Sequence, residues 1–218
     1  SNPREKAFYT IMTQSGVRPE TLCKLRLKDI EPDFSNGTIP CKINIPQEMT
    51  KGEYQSYFTF MGQESVDSLK AYLNKRSDIG LDSLLFTKIK SHGKYTNESV
   101  LSNTMSNQFR KALRTLRQKG ILNYEIRVGD GGKRGKPNEL RLYCLRKYFK
   151  NQANQMGTEY TEFLMGHTTG VTGHYIAKDP EFYHKLYSEK AMPYLRLGSA
   201  TPTETDKVVS ELREQLKK

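Results

Sequence analysis

The chain contains no apolar run near the roughly 18 to 20 residues that a membrane-spanning helix needs. Its start also lacks the basic, apolar and small-residue succession of a signal peptide. Cysteine is scarce: Cys23, Cys41 and Cys144 are three in number and without C-x-x-C spacing. That count excludes a disulfide framework, and the apolar periodic surroundings of all three predict buried free thiols in a reducing compartment. No cluster of Asp and Glu has the look of a two-metal centre. Together these absences lead us to expect a soluble, cytoplasmic protein with no membrane partner.

Acid is in deficit as well. Lys and Arg number 35 against 24 Asp and Glu, a formal charge of +11. The excess is local, because residues 110–150 hold 13 basic against 3 acidic side chains. A basic run of this kind is often only a solvated face. This one ends on the helix that carries Arg146, which favours a polyanionic partner such as nucleic acid. At 218 residues the chain is long enough to bury a substantial core.

Periodicity organises the rest. Residues 4–14 read as a helix with Ala7, Phe8, Ile11 and Met12 on one stripe, ended by Gly16. Pro19 suits the first turn of a second helix, with Leu22, Leu25 and Ile30 continuing the buried face, so Arg18 falls at a helix–helix junction. Residues 38–45 and 54–60 read as strands of a hairpin whose polar tip, 48–52, presents Lys51. A helix is expected at 63–76, a third strand at 83–86, and a helix over 98–119. In that last helix Met105, Phe109, Leu113 and Leu116 point inward, and Arg110, Arg114 and Arg117 outward. Residues 121–128 could form a strand, and 129–137 read as a basic loop bearing Lys133, Arg134 and Lys136. From 138 to 156, Leu142, Leu145, Phe149, Ala153 and Met156 step at helical spacing, while Tyr143, Arg146, Lys147 and Lys150 share another face. Short helices follow at 158–165 and 168–177 around a Gly166-His167 turn, and Asp179-Pro180 starts a helix over 180–190.

The chemistry resides in a few residue types held in order: Arg18, Lys51, Tyr143-x-x-Arg146, His167 and Tyr175. Arginine can hold phosphate oxygens bidentately, histidine can add a hydrogen bond, and a tyrosine hydroxyl can attack phosphorus. Singly, each has a plain alternative: a helix-junction cap, a solvated hairpin lysine, a core histidine, a core aromatic. As a set, over residues 5–190, they resemble the catalytic domain of the tyrosine recombinases, the family of phage integrases and chromosome-dimer resolvases. After Arg18 the family's apolar positions are filled by Leu22, Leu25 and Ile30, and its later acid by Asp29. The usual acid three places after the arginine is Thr21 here, with Glu20 one place early. Tyr143 stands where the family usually has histidine, and Lys147 follows the arginine, a pattern nearer to archaeal virus and plasmid integrases. The Leu164-Met-Gly-His167 box fits, and Tyr175 falls eight residues past the histidine rather than nine.

The resemblance implies a mostly α, α+β catalytic domain with a small antiparallel sheet. It also implies transesterification of double-stranded DNA without cofactor or metal, through a 3′-phosphotyrosyl link. Tyr175 is then the nucleophile and Lys51 the general acid, and Arg18, Arg146 and His167 hold the phosphate. Arg110, Arg114, Arg117, Lys133, Arg134, Lys136, Lys147 and Lys150 are the expected DNA contacts. The general base stays open among Tyr143, His174 and the arginine field, for a phenol whose ordinary pKa is about 10. DNA relaxation of the type IB topoisomerase kind, or a noncatalytic DNA-binding role, are the alternatives. The catalytic domain is expected over residues 1–198. Residues 199–218 are read as a linker and a helix whose stripe, Val208, Val209, Leu212 and Leu216, docks on another protomer of a dimer or tetramer. Ser1-Asn2 looks like a cloning scar, and a start almost inside a helix leads us to expect a preceding domain.

Overall fold

A computed structural model describes residues 2–50, 52, 55–77, 79–90, 93–122, 140–167 and 179–197. Helix α1 (Pro3–Ser15) begins where the Asn2 side chain accepts the Arg4 N–H at 3.0 Å and Pro3 takes the first turn. Its stripe of Ala7, Phe8, Ile11 and Met12 is fully buried, as the spacing predicts. The helix stops at Gly16, in the left-handed region at φ +66°, whose N–H returns to the Met12 carbonyl. Glycine is required there for a second reason. A Cβ would lie 2.3 Å from the Phe149 ring, so α1 could not approach the later helices so closely.

Helix α2 (Pro19–Lys24) starts three residues on, with Arg18 at its N-cap position in extended conformation. A 3-10 turn over Leu27–Ile30 is closed by the Asp29 carboxylate, which accepts the Arg26 N–H at 2.7 Å. After the short helix α3 (Asp33–Asn36), strands β1 (Cys41–Ile45) and β2 (Tyr57–Met61) pair antiparallel, with Cys41 opposite Met61 and Ile45 opposite Tyr57. Cys41, Ile43 and Ile45 alternate inward as a one-sided strand should. Helix α4 (Gln63–Leu73) buries Val66, Leu69, Tyr72 and Leu73 against α1.

The middle of the chain departs from the sequence reading. Ser83–Phe86 is not a strand: Leu85 and Phe86 drop into the core, and Leu84 makes only an isolated bridge to Arg26. The strand starts later, as β3 (Thr87–Ile89), and pairs with β4 (Tyr95–Ser99) across a turn holding Gly93 at φ +76°. Residues 98–101 therefore precede the helix rather than belonging to it, and α5 spans Ser102–Gln118. Burial of Val100 under the hairpin outweighs the helical spacing read there. The inward and outward faces of α5 otherwise agree: Met105 and Leu113 are buried, and Arg110, Arg114 and Arg117 are exposed.

Helix α6 (Tyr143–Ala153) starts five residues later than its pattern suggests and closes in a 3-10 turn before Gly157. Helix α7 (Thr158–Leu164) leads into the Gly166 turn. Helix α8 (Pro180–Leu186) is capped by the Asp179 carboxylate, which accepts the Glu181 N–H at 3.0 Å, and it widens into a π-turn over Tyr187–Ala191. Phe182 is exposed, and the apolar face of α8 consists of Tyr183, Leu186 and, one residue on, Tyr187. Cys23 and Cys41 are buried, and burial pushes both thiols up to about 12. Cys144 is only half-buried, a correction to the reading that all three are core thiols. No helix among the described residues is long and apolar enough to cross a membrane.

Candidate functional site

Four distant pieces of the sequence meet beside the C-terminal end of α1. They are the Gly16–Arg18 link, the first residue of β2, the second turn of α6 and the Met165–His167 turn after α7. Close helix contact at Gly16 and the packing of α6 on α1 bring the first and third together. Gly166 brings in the last. It sits at φ +64°, and a Cβ there would fall 2.4 Å from the Tyr57 ring, so the turn lies flat against β2.

Arg146 is fully buried, which corrects the expectation that it shares an open basic face with Tyr143, Lys147 and Lys150. Those three are exposed. The reason is visible in the spacing: Leu142, Arg146, Phe149 and Ala153 step by four, three and four, so the arginine stands inside the apolar stripe. Leu145, assigned to that stripe, is only partly buried.

A buried guanidinium needs partners, and this one has three. Nη1 donates to the Gly16 carbonyl. Nη2 donates to the Met165 carbonyl at 2.7 Å and meets His167 Nε2 at 2.9 Å. Arg18, partly buried, directs its Nη1 to the carbonyls of Met165 and Gly166, each at 3.4 Å. The Met165 carbonyl thus stands between two guanidiniums. Burial, then the charge of Arg18, lowers the Arg146 pKa, while Tyr57 and then Tyr143 at the head of α6 oppose both. Two fixed cations that each raise the other's energy form a site that one anion would relieve.

His167 is oriented from the other side. Its Nδ1 pairs with the Glu162 carboxylate, which also meets Lys150 Nζ at 2.5 Å. A guanidinium only donates, so Nε2 facing Arg146 is the accepting nitrogen and the ring proton belongs on Nδ1, toward Glu162. Burial alone would raise the Glu162 pKa, but the bonds from Lys150 and His167 prevail and lower it. A depressed carboxylate pKa contributes stability above the unfolded value and loses it as pH falls through the folded value. Replacing Glu162 by Gln should therefore reduce stability at neutral pH, with the deficit shrinking as pH falls below the ordinary carboxylate range. Urea unfolding of both proteins across that range measures it. An equal deficit at both ends would mean that the carboxylate charge is not what holds His167.

Of the sequence-predicted residues, Arg18, Arg146 and His167 come together, and Tyr143 stands at the rim beside Arg146. Arg110, Arg114 and Arg117 line the open face of α5. Lys147 is exposed, and Lys150 is committed to the Glu162 pair although half its side chain stays open to solvent. Lys51, Tyr175, His174, Lys133, Arg134 and Lys136 lie outside the described residues, as do the helix expected at 168–177 and the segment 199–218.

Two residues at the site escaped the sequence reading. Glu162 is the first, an acid paired with His167 and Lys150; Thr21, where the family has an acid, donates to the Met49 carbonyl at 3.0 Å and ties α2 to the hairpin tip. Tyr57 is the second, buried against Gly166 with both arginines as charged neighbours. Neither had a local signal, because each is placed by a contact between elements.

The model of the phage integrase family matches residues 1–181. No curated protein sequence matches the chain. Among solved structures the chain is similar to XerA recombinase, at 18% identity over 86% of this chain and 56% of that one, with a TM-score of 0.49. It is also similar to the Tn1549 transposon integrase solved with a circular intermediate DNA, at 15% identity over 84% and 57% of the two chains and the same TM-score. The chain therefore spans well under two thirds of either solved protein.

Proposed function

Since the chain belongs to the phage integrase family, we propose that it is the catalytic part of a site-specific DNA recombinase working through a 3′-phosphotyrosyl intermediate. The observation that carries the reading is the convergence of Arg18, Arg146 and His167 from three separate elements onto the Met165–Gly166 turn. Charge density and fork geometry at that point suit a phosphodiester, and the excess of base over residues 110–150 suits the duplex around it.

In this reading Arg18 and Arg146 hold the nonbridging oxygens of the scissile phosphate as charge builds on them, and His167 joins them by donating from Nε2 once that nitrogen carries a proton. The Tyr175 oxygen attacks phosphorus and loses its phenolic proton, the bond to the 5′ oxygen breaks, and Lys51 gives that oxygen a proton. The reverse step, with a 5′ hydroxyl of a partner strand as nucleophile, rejoins DNA and frees the tyrosine. His167 has an accepting Nε2 while it faces Arg146, and Glu162 would stabilise the imidazolium if that nitrogen took up a proton. Arg110, Arg114, Arg117 and Lys147, together with Lys133, Arg134 and Lys136, contact the DNA backbone, and Lys150 adds to them from beside Glu162. Residues 1–198 form the catalytic domain, and 199–218 comprise a linker and a helix that docks on another protomer of a dimer or tetramer.

The polarity of covalent capture tests this function. Incubated with nicked duplexes of randomised sequence and quenched with SDS, the chain should carry DNA through a 3′ phosphate. The released strand should have a 5′ hydroxyl that polynucleotide kinase labels without prior phosphatase. A 5′-linked adduct, or none across the pool, would contradict the assignment.

A further inference from the structure

The Tyr57 hydroxyl is buried, in a residue only 6% exposed, and its proton has no acceptor, since the guanidiniums of Arg146 and Arg18 approach its oxygen only as donors. Such a group is costly to leave unpaired, and an unpaired one calls for a reason. Its surroundings supply one. The charged groups nearest in effect are the guanidiniums of Arg146 and Arg18. These are donors, and their own hydrogen bonds go to the carbonyls of Gly16, Met165 and Gly166. Arg146 Nε is likewise buried without a partner. An O–H and an N–H of adjacent side chains are thus both without an acceptor, in a region held positive by two arginines.

The hydroxyl is also fixed in place. Tyr57 is the inward residue at the end of β2, paired in register with Ile45, and its ring is clamped by the backbone of Gly166, where no Cβ fits. Burial raises the phenol pKa, and the two arginines only oppose that shift, so the group is a neutral donor rather than a phenolate. Tyr183 provides the contrast. Its hydroxyl is buried and unpaired too, but its ring packs among Phe58, Tyr160, Phe163 and Phe182, and among the described residues the charges that act on it are not cations.

We propose that the Tyr57 hydroxyl is a further donor of the phosphate site, hydrogen-bonding a nonbridging oxygen of the scissile phosphate alongside Arg18 and Arg146. The proposal rests on the phosphate reading of those arginines. It gives the site a neutral donor from the sheet, opposite the cationic donors from the helices. A neutral donor adds a hydrogen bond without adding to the repulsion between Arg18 and Arg146, which a third cation would increase.

The test compares the full chain with its Tyr57→Phe and Tyr183→Phe variants in single-turnover cleavage of nicked duplex at saturating DNA. Tyr57→Phe should slow adduct formation on the order of 100-fold, with DNA affinity and melting temperature unchanged. Tyr183→Phe should cleave at the wild-type rate. A Tyr57→Phe protein that is folded and cleaves normally overturns the proposal. Calorimetric titration with inorganic phosphate, below the melting temperature of every variant, covers the remaining cases. Weaker phosphate binding by Tyr57→Phe than by wild type supports the role even if the variant melts earlier, and equal binding refutes it. If wild type forms no adduct, the recombinase reading fails, while the phosphate titration still judges Tyr57.

Discussion

Arg146→Lys should slow covalent adduct formation by roughly 100- to 1000-fold while DNA affinity changes little. The side chain has three directed contacts, to the Gly16 carbonyl, the Met165 carbonyl and His167 Nε2. Lysine keeps the charge but presents a compact ammonium in place of a planar fork, so it cannot span those positions and hold two phosphate oxygens together. Affinity survives because most backbone contacts are assigned to α5, to Lys147 and to the basic segment before α6. The burial of Arg146 adds a second consequence. Lysine leaves the Gly16 or the Met165 carbonyl without its donor in a closed environment, at about 1 to 3 kcal/mol of stability. Single-turnover cleavage and urea unfolding of the same preparation separate the two effects. Near-normal cleavage would place the phosphate grip elsewhere, and unchanged stability would mean that solvent replaces the arginine.

Tyr175→Phe should abolish the adduct altogether while leaving the fold and DNA binding as they are. One oxygen is removed, and no other group can form the same phosphodiester in its place. The rival tyrosines are accounted for by packing. Tyr183 is fully buried among aromatic rings, and Tyr187 is fully buried with its hydroxyl donating to the Gln14 carbonyl at 2.6 Å. Burial pushes both phenols up, which makes them worse nucleophiles. Tyr175 falls eight residues past His167 in the sequence, one place from the position of the family's tyrosine. An adduct formed by Tyr175→Phe, measured by SDS trapping over the same time course, would refute the assignment.

Much of this site could be read from the sequence because local rules place its residues. Gly16 had to end α1, Pro19 had to start α2, and Arg18 was left between them. Leu164-Met-Gly-His167 had to turn at its glycine. What could not be read depends on contacts between elements. Arg146 was assigned to a basic helical face because charge normally points outward, yet its spacing from Leu142, Phe149 and Ala153 places it in the apolar stripe. The carbonyls of Gly16 and Met165, 130 and 19 residues away, make that burial tolerable, and no local pattern announces them. Glu162 was one acid among many until α7 set it beside His167 and Lys150. The second hairpin was missed because β3 is three residues long, too short for alternation to be counted.

The identity of the tyrosine that carries the DNA decides the chemistry of this site. Trapped adduct from wild-type protein can be digested with nuclease to leave a nucleotide remnant, then with trypsin, and the modified peptide sequenced by mass spectrometry. Tryptic peptide 151–178 contains Tyr160 and Tyr175, while 179–185 and 186–190 contain Tyr183 and Tyr187. The remnant is expected on Tyr175 alone, as a phosphodiester to the tyrosine oxygen. A remnant on Tyr160, Tyr183 or Tyr187, or on a residue that is not tyrosine, would contradict the central claim.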